Sequence, residues 1–405
     1  MSTNRPKINN TGDVLAGLRV CMLVTNSLEM DSRVIREATT SAAAGADTTV
    51  ICVRQDVSPG LASLPFDIVA VTPLSSSTSR LWLLRVVANL GREYMFFRRL
   101  GSVARRVNAD VYWANDLDTL WPALRAATKR RSGIVYDAHE LFTDQVAIPG
   151  WRRRVFDAIE KRFINRADVV VTVNDDLAGY LAKKFDLPLP EVVFNGPEDC
   201  RPNSAHPSVP LRVICQGSMS RERGFEALVD AMGNLRGVAT LALQGYGELE
   251  PALRERVETL GLGDVVSFVP PCAATEVVAH ASGYDIGLVA TDPTCLNTRL
   301  SSPVKLFTYM GAGLAMAAAS TPVVAQIVRE FDCGILFDGM RPDLISDALR
   351  WLADHPDEVV RFKRNSAAAC ERYAWARQAP LVVEAIRTAA TAHGRGRFAE
   401  APAAI

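Results

Sequence analysis

Residues 47–53 read DTTVICV and follow the stretch SRVIREATTSAAAG at 32–45. The first segment is a short apolar run rich in β-branched residues, which is typical of a strand buried on both faces. The second has helical spacing of apolar residues and ends in glycine, which suits a helix that leads into the next strand. A helix followed by a buried strand predicts a parallel sheet covered by helices.

The same alternation extends over most of the chain. Further strands are predicted at 18–24, 66–71, 110–114, 133–138 and 167–173, and the pattern restarts with LRVICQGS at 211–218. Pro, Asn and Ser accumulate between these halves, where no periodicity survives. We therefore predict an α/β protein of two Rossmann-like, doubly wound domains, whose strand ends face a central cleft. The predicted domains are residues 1–195 and 211–375, with a linker at 196–210, a helix from 376 that crosses back to the first domain, and a frayed tail to 405.

Composition excludes several classes of protein. The 405 residues contain 45 basic and 45 acidic side chains, so net charge indicates no polyanionic partner, and no nucleic-acid-binding module is recognisable. No segment has the roughly 20 apolar residues of a spanning helix, and the N-terminus does not resemble a signal peptide. Eight cysteines without C-x-x-C spacing favour reduced thiols, a cytoplasmic protein and no structural metal.

Nine quoted segments occur in an order that resembles the retaining glycosyltransferases of family 4, which have the GT-B fold. They are DSRVIREA (31–38), YDAHELF (136–142), NRADVVVTVN (165–174), FNGPED (194–199), QGSMSRERGFEAL (216–228), LQGYGE (243–248), VVSFVP (265–270), PVKLF (303–307) and TYMGAGLAMAAASTP (308–322). The resemblance implies an enzyme that moves a sugar from a nucleoside-diphosphate sugar to an acceptor with retention, without a metal or other cofactor. The implied acceptor is a polysaccharide, a lipid-linked molecule or a small secondary metabolite.

The resemblance places the donor phosphates in the second domain. The segment QGSMSRERG (216–224) leaves a strand and opens a helix, so its N–H groups and the helix dipole can bind a diphosphate. Arg223 stands where the family has a basic residue that stabilises the departing nucleotide, and Lys305 is the second candidate. The alternative for both is an ordinary solvated side chain.

Other donor-site candidates follow from the same resemblance. Gly217, Ser218, Gly245 and Gly247 belong to strand-end turns, Ser267, Phe268 and Val269 to a strand whose backbone reads the base, and Thr308 to the last motif. Phe268 is equally well explained as a core residue. The two glutamates of the family's Glu-x7-Glu motif are replaced here by Leu300 and Thr308, which suggests an altered donor grip, through Glu330 or backbone amides.

The first domain supplies the remaining candidates. His139 follows a predicted strand, and the resemblance places a histidine here that contacts the donor sugar. Asp137 and Glu140 either orient its imidazole or cap the next helix. On the acceptor side we place Asn115, Asp116, Asp118 and Glu140, again with helix capping as the alternative for the first three.

Two basic amphipathic segments, at 79–107 and 151–163, could contact an anionic membrane, which would suit a lipid-linked acceptor at the inner membrane. The simpler interpretation is ordinary helices that pack their apolar faces on the sheet. A noncatalytic partner that binds nucleotide sugars, or a GT-B epimerase, is the alternative function. A nicotinamide dehydrogenase is disfavoured because TNSLEMDSR (25–33), without G-x-G-x-x-G, follows the first strand.

Overall fold

The computed structural model describes residues 13–54, 59–72, 82–144, 150–220 and 223–394. The chain divides into two compact units. The first comprises the described parts of residues 1–143, 149–193 and 379–405, and the second those of 144–148 and 194–378. Residues 379–394 are thus grouped with the first unit.

Within its described residues, the first unit contains a seven-stranded parallel sheet in the order β3-β2-β1-β4-β5-β6-β7. The strands are β1 (Arg19–Leu23), β2 (Asp47–Val53), β3 (Asp67–Val71), β4 (Val111–Asn115), β5 (Gly133–Ala138), β6 (Val169–Thr172) and β7 (Glu191–Val192). Strand order reverses between β1 and β4. Ligands of doubly wound sheets bind beyond the carboxyl ends of strands at such a reversal, where the loops diverge.

The second unit contains a six-stranded parallel sheet, counted over its described residues, in the order β10-β9-β8-β11-β12-β13. Its strands are β8 (Leu211–Gln216), β9 (Ala239–Gln244), β10 (Val266–Val269), β11 (Ile286–Val289), β12 (Ala315–Ala319) and β13 (Gly334–Phe337). Here the order reverses between β8 and β11, and β10 is an edge strand.

Helices connect the strands of both units. Those before β8 are α1 (Ser32–Ala43), α2 (Pro59–Ala62), α3 (Trp82–Val107), α4 (Leu117–Ala127), α5 (Gly150–Phe163) and α6 (Asp175–Phe185). Those after it are α7 (Phe225–Met232), α8 (Glu250–Thr259), α9 (Val277–Ala281), α10 (Leu296–Leu300), α11 (Val304–Gly311), α12 (Pro322–Phe331), α13 (Pro342–Asp354), α14 (Pro356–Tyr373) and α15 (Trp375–Thr391). Among the described residues, no helix is both long enough and apolar enough to span a membrane.

The predicted fold class is confirmed, because both sheets are parallel and doubly wound. Central strands such as β4, β5 and β12 are buried along their whole length, which accounts for their continuous apolar sequences. The two-residue strand β7 was not predicted, since so short a segment carries no periodicity. The frayed tail predicted up to residue 405 lies outside the described residues from 395 onward.

The expectation that all eight cysteines are thiols is wrong for two of them. Cys200 and Cys370 form a disulfide in the second unit, across 170 residues of sequence. Cysteine spacing could not show this pairing, because it depends on where the chain before β8 meets α14. Cys21, Cys215 and Cys333 are buried thiols, as the apolar runs around them predicted.

Candidate functional site

Polar side chains of the first unit gather at the strand reversal. Asn115 ends β4, and its amide donates a hydrogen bond to the carbonyl of Leu23 on β1 at 3.0 Å. Its buried Oδ1 has no partner among the described residues. Asp118, in the first turn of α4, accepts a hydrogen bond from the Thr25 hydroxyl at 2.5 Å. Burial raises the pKa of Asp118 to about 6 despite this bond. Carboxyl and amide oxygens thus converge beyond β1 and β4.

Asp116 is the N-cap residue directly before α4, but its side chain does not cap the helix. Its φ of 61° is uncommon for a residue other than glycine and directs the carboxylate elsewhere. Oδ1 of Asp116 accepts the backbone N–H of His139 at 3.1 Å, and Oδ2 lies 3.4 Å from Nδ1 of the same residue. The capping alternative is therefore not what the structure shows for Asp116.

His139 lies between two carboxylates. Its Nε2 is 3.3 Å from Oδ2 of Asp137, and its Nδ1 faces Asp116. Burial by itself would lower the pKa of His139, but the negative charges of Asp116 and Asp137 raise it to about 10. The imidazole is therefore a cation near neutral pH, with both ring nitrogens as donors. Glu140, half-buried beside it, contributes to a pKa of about 7 for Asp116, where burial is the main cause.

Asp137 orients the imidazole instead of capping a helix. The buried guanidinium of Arg33, on α1, donates from Nε and Nη2 to the Asp137 carboxylate at 3.0 and 2.9 Å. Nη1 of Arg33 donates to the carbonyl of Val193 at 2.7 Å. Burial alone would raise the pKa of Asp137, but the charges of Arg33 and His139 hold it well below its usual value. Asp137 is therefore an ionised, fully buried carboxylate.

Glu37 completes this buried cluster one turn along α1. Its Oε1 lies 2.9 Å from Nε of Arg33. Burial and the charge of Asp137 raise the pKa of Glu37 well above its usual range, against the opposing charge of Arg33. Sequence reasoning missed Arg33 and Glu37 as site residues, although both belong to the segment DSRVIREA that carried part of the family resemblance.

The spacing of this cluster would also suit a metal ion, because Glu37, Asp137 and His139 offer ligand atoms within 4.8 Å of one another. However, the Arg33 guanidinium already contacts both carboxyl groups and supplies the compensating positive charge. A metal ion would have to displace a buried, bidentate ion pair. The cluster is therefore explained by its own side chains.

Glycines bring two strand-end loops of the second unit together. Gly217 follows β8 and Gly245 follows β9, with φ angles of 130° and 144°. A Cβ on Gly245 would lie 2.1 Å from the carbonyl oxygen of Gly217, and one on Gly247 would lie 2.3 Å from that of Met219. The loop after β9 therefore packs directly against the peptide of Gly217. The α-carbon of Gly217 faces the side chains of Arg223 and Lys305.

Arg223 and Lys305 approach the same point of this loop. A Cβ on Gly217 would lie 3.1 Å from Nη1 of Arg223 and 3.9 Å from Cε of Lys305. Arg223 is exposed, whereas Lys305 is buried, with its Nζ 3.4 Å from the carbonyl oxygen of Ala290, just beyond β11. Burial, and then the charge of Arg223, lowers the pKa of Lys305. Gly224 begins α7 without a side-chain cap, so this helix start also presents N–H groups.

The remaining donor candidates are spread over the second unit. Ser218 is exposed in the loop after β8. Ser267, Phe268 and Val269 lie on the edge strand β10, where the half-buried ring of Phe268 packs against the core and lies 4.2 Å below the guanidinium of Arg254. This placement is compatible with both interpretations of Phe268.

The last-motif candidates have partners within the fold. The buried hydroxyl of Thr308 donates to the carbonyl of Val304, one turn earlier on α11, at 3.2 Å. Glu330, considered as a substitute donor ligand, forms an ion pair with Arg372. The side chains of Thr308 and Glu330 are thus engaged with Val304 and Arg372, and not with Arg223 or Lys305.

Sequence reasoning also missed the supports beneath the loop. The backbone N–H of Gln216 donates to the Tyr309 hydroxyl at 2.8 Å, and its side-chain amide donates to Gln244 at 2.8 Å. These buried bonds tie the ends of β8 and β9 to each other and to α11, which carries Lys305. Two glutamines at the ends of apolar strands were the available signal.

Comparisons with known proteins cover both units. The family described as "Glycosyl transferase 4-like domain" matches residues 32–197, and the family "Glycosyl transferases group 1" matches residues 210–355. The chain is 28% identical over 203 residues to the D-inositol 3-phosphate glycosyltransferase of Paenarthrobacter aurescens, a match that spans 47% of this chain and 45% of that protein. The chain therefore spans less than half the length of the curated relatives it matches.

Solved structures show the same fold over nearly the whole chain. The Anabaena protein HepE, crystallised with UDP and glucose, superposes with a TM-score of 0.71 at 16% identity, over 92% of this chain and all of that one. Sucrose-phosphate synthase from Thermosynechococcus elongatus superposes with a TM-score of 0.70 at 14% identity, over 93% and 100%. With both family matches in chain order, this protein belongs to the group 1, or family 4, glycosyltransferases of GT-B fold.

Proposed function

We propose that this protein transfers a sugar from a nucleoside-diphosphate sugar to an acceptor hydroxyl. One observation carries the proposal: Arg223 and Lys305 approach the glycine loop after β8, beside the uncapped start of α7. Two cations and free N–H groups fit a diphosphate, and they would stabilise the charge that develops on it as the glycosidic bond breaks.

The relatives support this donor class. The Paenarthrobacter relative is named as a glycosyltransferase, and the HepE structure contains UDP and glucose. In the proposed reaction Arg223, Lys305 and the glycine loop hold the diphosphate, and His139 contacts the sugar. Asn115, Asp116, Asp118 and Glu140 serve the acceptor side. The proposed transfer retains the configuration of the sugar. It needs no metal ion, because the two basic side chains supply the positive charge.

A thermal-shift screen against UDP, GDP, TDP and ADP and their sugar conjugates tests the donor class. A ligand that binds only the native state raises its stability, by about 2.7 kcal/mol at a hundred times Kd. Arg223→Ala should abolish the stabilisation and the turnover while leaving the ligand-free melting temperature unchanged, because the side chain is exposed. Lys305→Ala should also abolish turnover.

Arg236→Ala is the matched control, since Arg236 is an exposed arginine of the same unit that pairs with Asp264. It should keep both binding and turnover. Stabilisation by no nucleotide, or full binding in Arg223→Ala, would overturn the phosphate assignment. Binding without any turnover would identify a nucleotide-sugar-binding partner of another transferase.

We further propose that the first unit contacts anionic lipid, which would suit a lipid-linked acceptor. Tyr94 and Met95 on α3 and Val155 on α5 are each at least half exposed, and an Arg152–Glu93 ion pair joins the two helices. Among the described side chains of α3, α5 and the turn after α5, the exposed basic residues are Arg98, Arg99, Arg106, Arg153, Arg154, Lys161, Arg162 and Arg166. Apolar side chains among cations fit an anionic bilayer surface. Arg80 and the side chains of Trp82 and Arg85 lie outside the described residues.

Sedimentation with phosphatidylglycerol vesicles, compared with phosphatidylcholine vesicles, tests lipid contact. Val155→Asp should weaken binding to the anionic vesicles roughly tenfold, since it removes apolar contact and adds a negative charge. Leu189→Asp, at a residue 70% exposed between α6 and β7, should not. Equal binding to both vesicle types, or no effect of Val155→Asp, would favour ordinary surface helices.

A further inference from the structure

The two carboxylates beside His139 differ in how tightly the rest of the protein fixes them in place. The side chain of Asp137 is fully buried, whereas that of Asp116 is 27% exposed. Nε2 of His139 is hydrogen-bonded to Asp137 and Nδ1 faces the carboxylate of Asp116 at 3.4 Å, so a sugar oxygen can reach a ring N–H only by replacing one of these neighbours. The structure therefore raises the question of which partner is exchangeable.

Asp137 is the fixed partner. Arg33 grips its carboxylate with two parallel hydrogen bonds, a geometry that lysine cannot provide. The third nitrogen of this guanidinium, Nη1, donates to the carbonyl of Val193, so Arg33 is bound on both sides. Breaking a buried ion pair leaves an uncompensated charge in the interior and is strongly unfavourable. Substrate would not displace Asp137 at such a cost.

Asp116 is the weaker partner. Its carboxylate contacts His139 itself, through the backbone N–H at 3.1 Å and through Nδ1 at the longer distance of 3.4 Å. Its pKa of about 7, raised mainly by burial, means that its carboxylate is partly protonated near neutral pH. The titratable groups around the imidazole are Arg33, Glu37, Asp116, Asp118, Asp137 and Glu140.

We propose that Arg33 and Asp137 are positioning residues for His139, which hold Nε2 inward so that Nδ1 donates to a sugar oxygen when substrate displaces Asp116. This inference rests on the proposed contact of His139 with the sugar. It assigns a role to Arg33 of the segment DSRVIREA, which lies 104 residues from Asp137 in sequence.

The first experiment follows the imidazole directly, without any ligand. Ring ¹⁵N signals of the five histidines are titrated by NMR, and His139→Gln identifies the His139 signal. In the wild-type protein the ring should stay protonated through pH 9, given its pKa of about 10. In Asp137→Asn that pKa should fall toward 6.5, the ordinary value. In Arg33→Lys the ring should stay protonated, because the positive charge is retained.

The second experiment measures hydrolysis of whichever sugar nucleotide stabilises the protein most, so that no acceptor is needed. Asp137→Asn and Arg33→Lys should each lower kcat roughly 10- to 100-fold with little change in KM, because a misplaced group costs about that much. Asp116→Asn should lower KM, since the group that competes for Nδ1 loses its charge. Glu160→Gln, a buried carboxyl elsewhere in this unit, should match the wild type.

The outcomes separate this inference from the proposed function. If His139→Gln retains the wild-type kcat, the sugar-contact role itself is wrong. If His139→Gln is inactive while Arg33→Lys and Asp137→Asn keep the wild-type kcat, only the positioning role is overturned. An unchanged His139 pKa in Asp137→Asn would overturn it too, even if no sugar nucleotide binds. A raised KM in Asp116→Asn would refute the assignment of Nδ1.

Discussion

Gly245→Ala should damage the donor loop through two separable effects. The φ of Gly245 is 144°, a region that side chains rarely adopt, and the new Cβ would lie 2.1 Å from the carbonyl oxygen of Gly217. Unfavourable φ costs about 1–2 kcal/mol. Overpacking against backbone adds about 1–3 kcal/mol. The variant should therefore lose about 2–5 kcal/mol of unfolding free energy.

Differential scanning calorimetry measures this loss. For a domain of roughly 150–250 residues, 1 kcal/mol corresponds to about 2–4 °C, so the transition of the second unit should fall by about 4–20 °C. Affinity for the nucleoside diphosphate should fall as well, because the clash can be relieved only by moving Gly217, beside which Arg223 and Lys305 lie.

Three other glycines of the same unit separate the contributions. Gly247→Ala brings a Cβ to 2.3 Å from the Met219 carbonyl without a positive φ, so it tests the clash alone. Gly237→Ala, with φ of 73° and open space around it, tests the backbone conformation alone. Gly263→Ala has neither and should behave as wild type. If Gly245→Ala and Gly263→Ala have the same melting temperature, the loops after β8 and β9 do not approach each other as closely as described.

Two further predictions concern buried charges. Lys363→Met should lower the unfolding free energy by about 3–5 kcal/mol, because it leaves the buried carboxylate of Asp285, which Lys363 contacts at 2.8 Å, without its cationic partner. Urea unfolding measures this loss, and a value under about 1 kcal/mol would contradict the prediction. Burial raises the pKa of Glu160 from 4.5 to about 7, against the opposing effects of Lys184 and Tyr136. The contribution of Glu160 to the unfolding free energy is therefore fully present below pH 4.5 and is lost as the pH rises through 7. Glu160→Gln should remove this pH-dependent loss of stability, which amounts to up to about 3 kcal/mol. The difference in melting temperature between pH 5 and pH 8 should therefore shrink. An unchanged difference would show that Glu160 is ionised at both pH values.

Local sequence determined the elements and the ends of the strands. Strands such as β2 and β5 were predicted at the bounds the structure gives them, because short segments rich in Val and Ile between helical stretches indicate a buried strand from local sequence. The order of these elements predicted parallel sheets. The sequence also placed polar residues such as Asp116 and His139 at the ends of predicted strands, facing the predicted cleft, but it did not pair them.

Tertiary structure alone decided which of these residues touch. Arg33 meets Asp137 across 104 residues, and Cys200 meets Cys370 across 170. Periodicity reports only which face of an element is apolar, whereas such contacts depend on register and on helix packing over the sheet. For the same reason, the sequence could nominate Lys305 as a cation, but only the packed fold shows it buried and lowers its pKa.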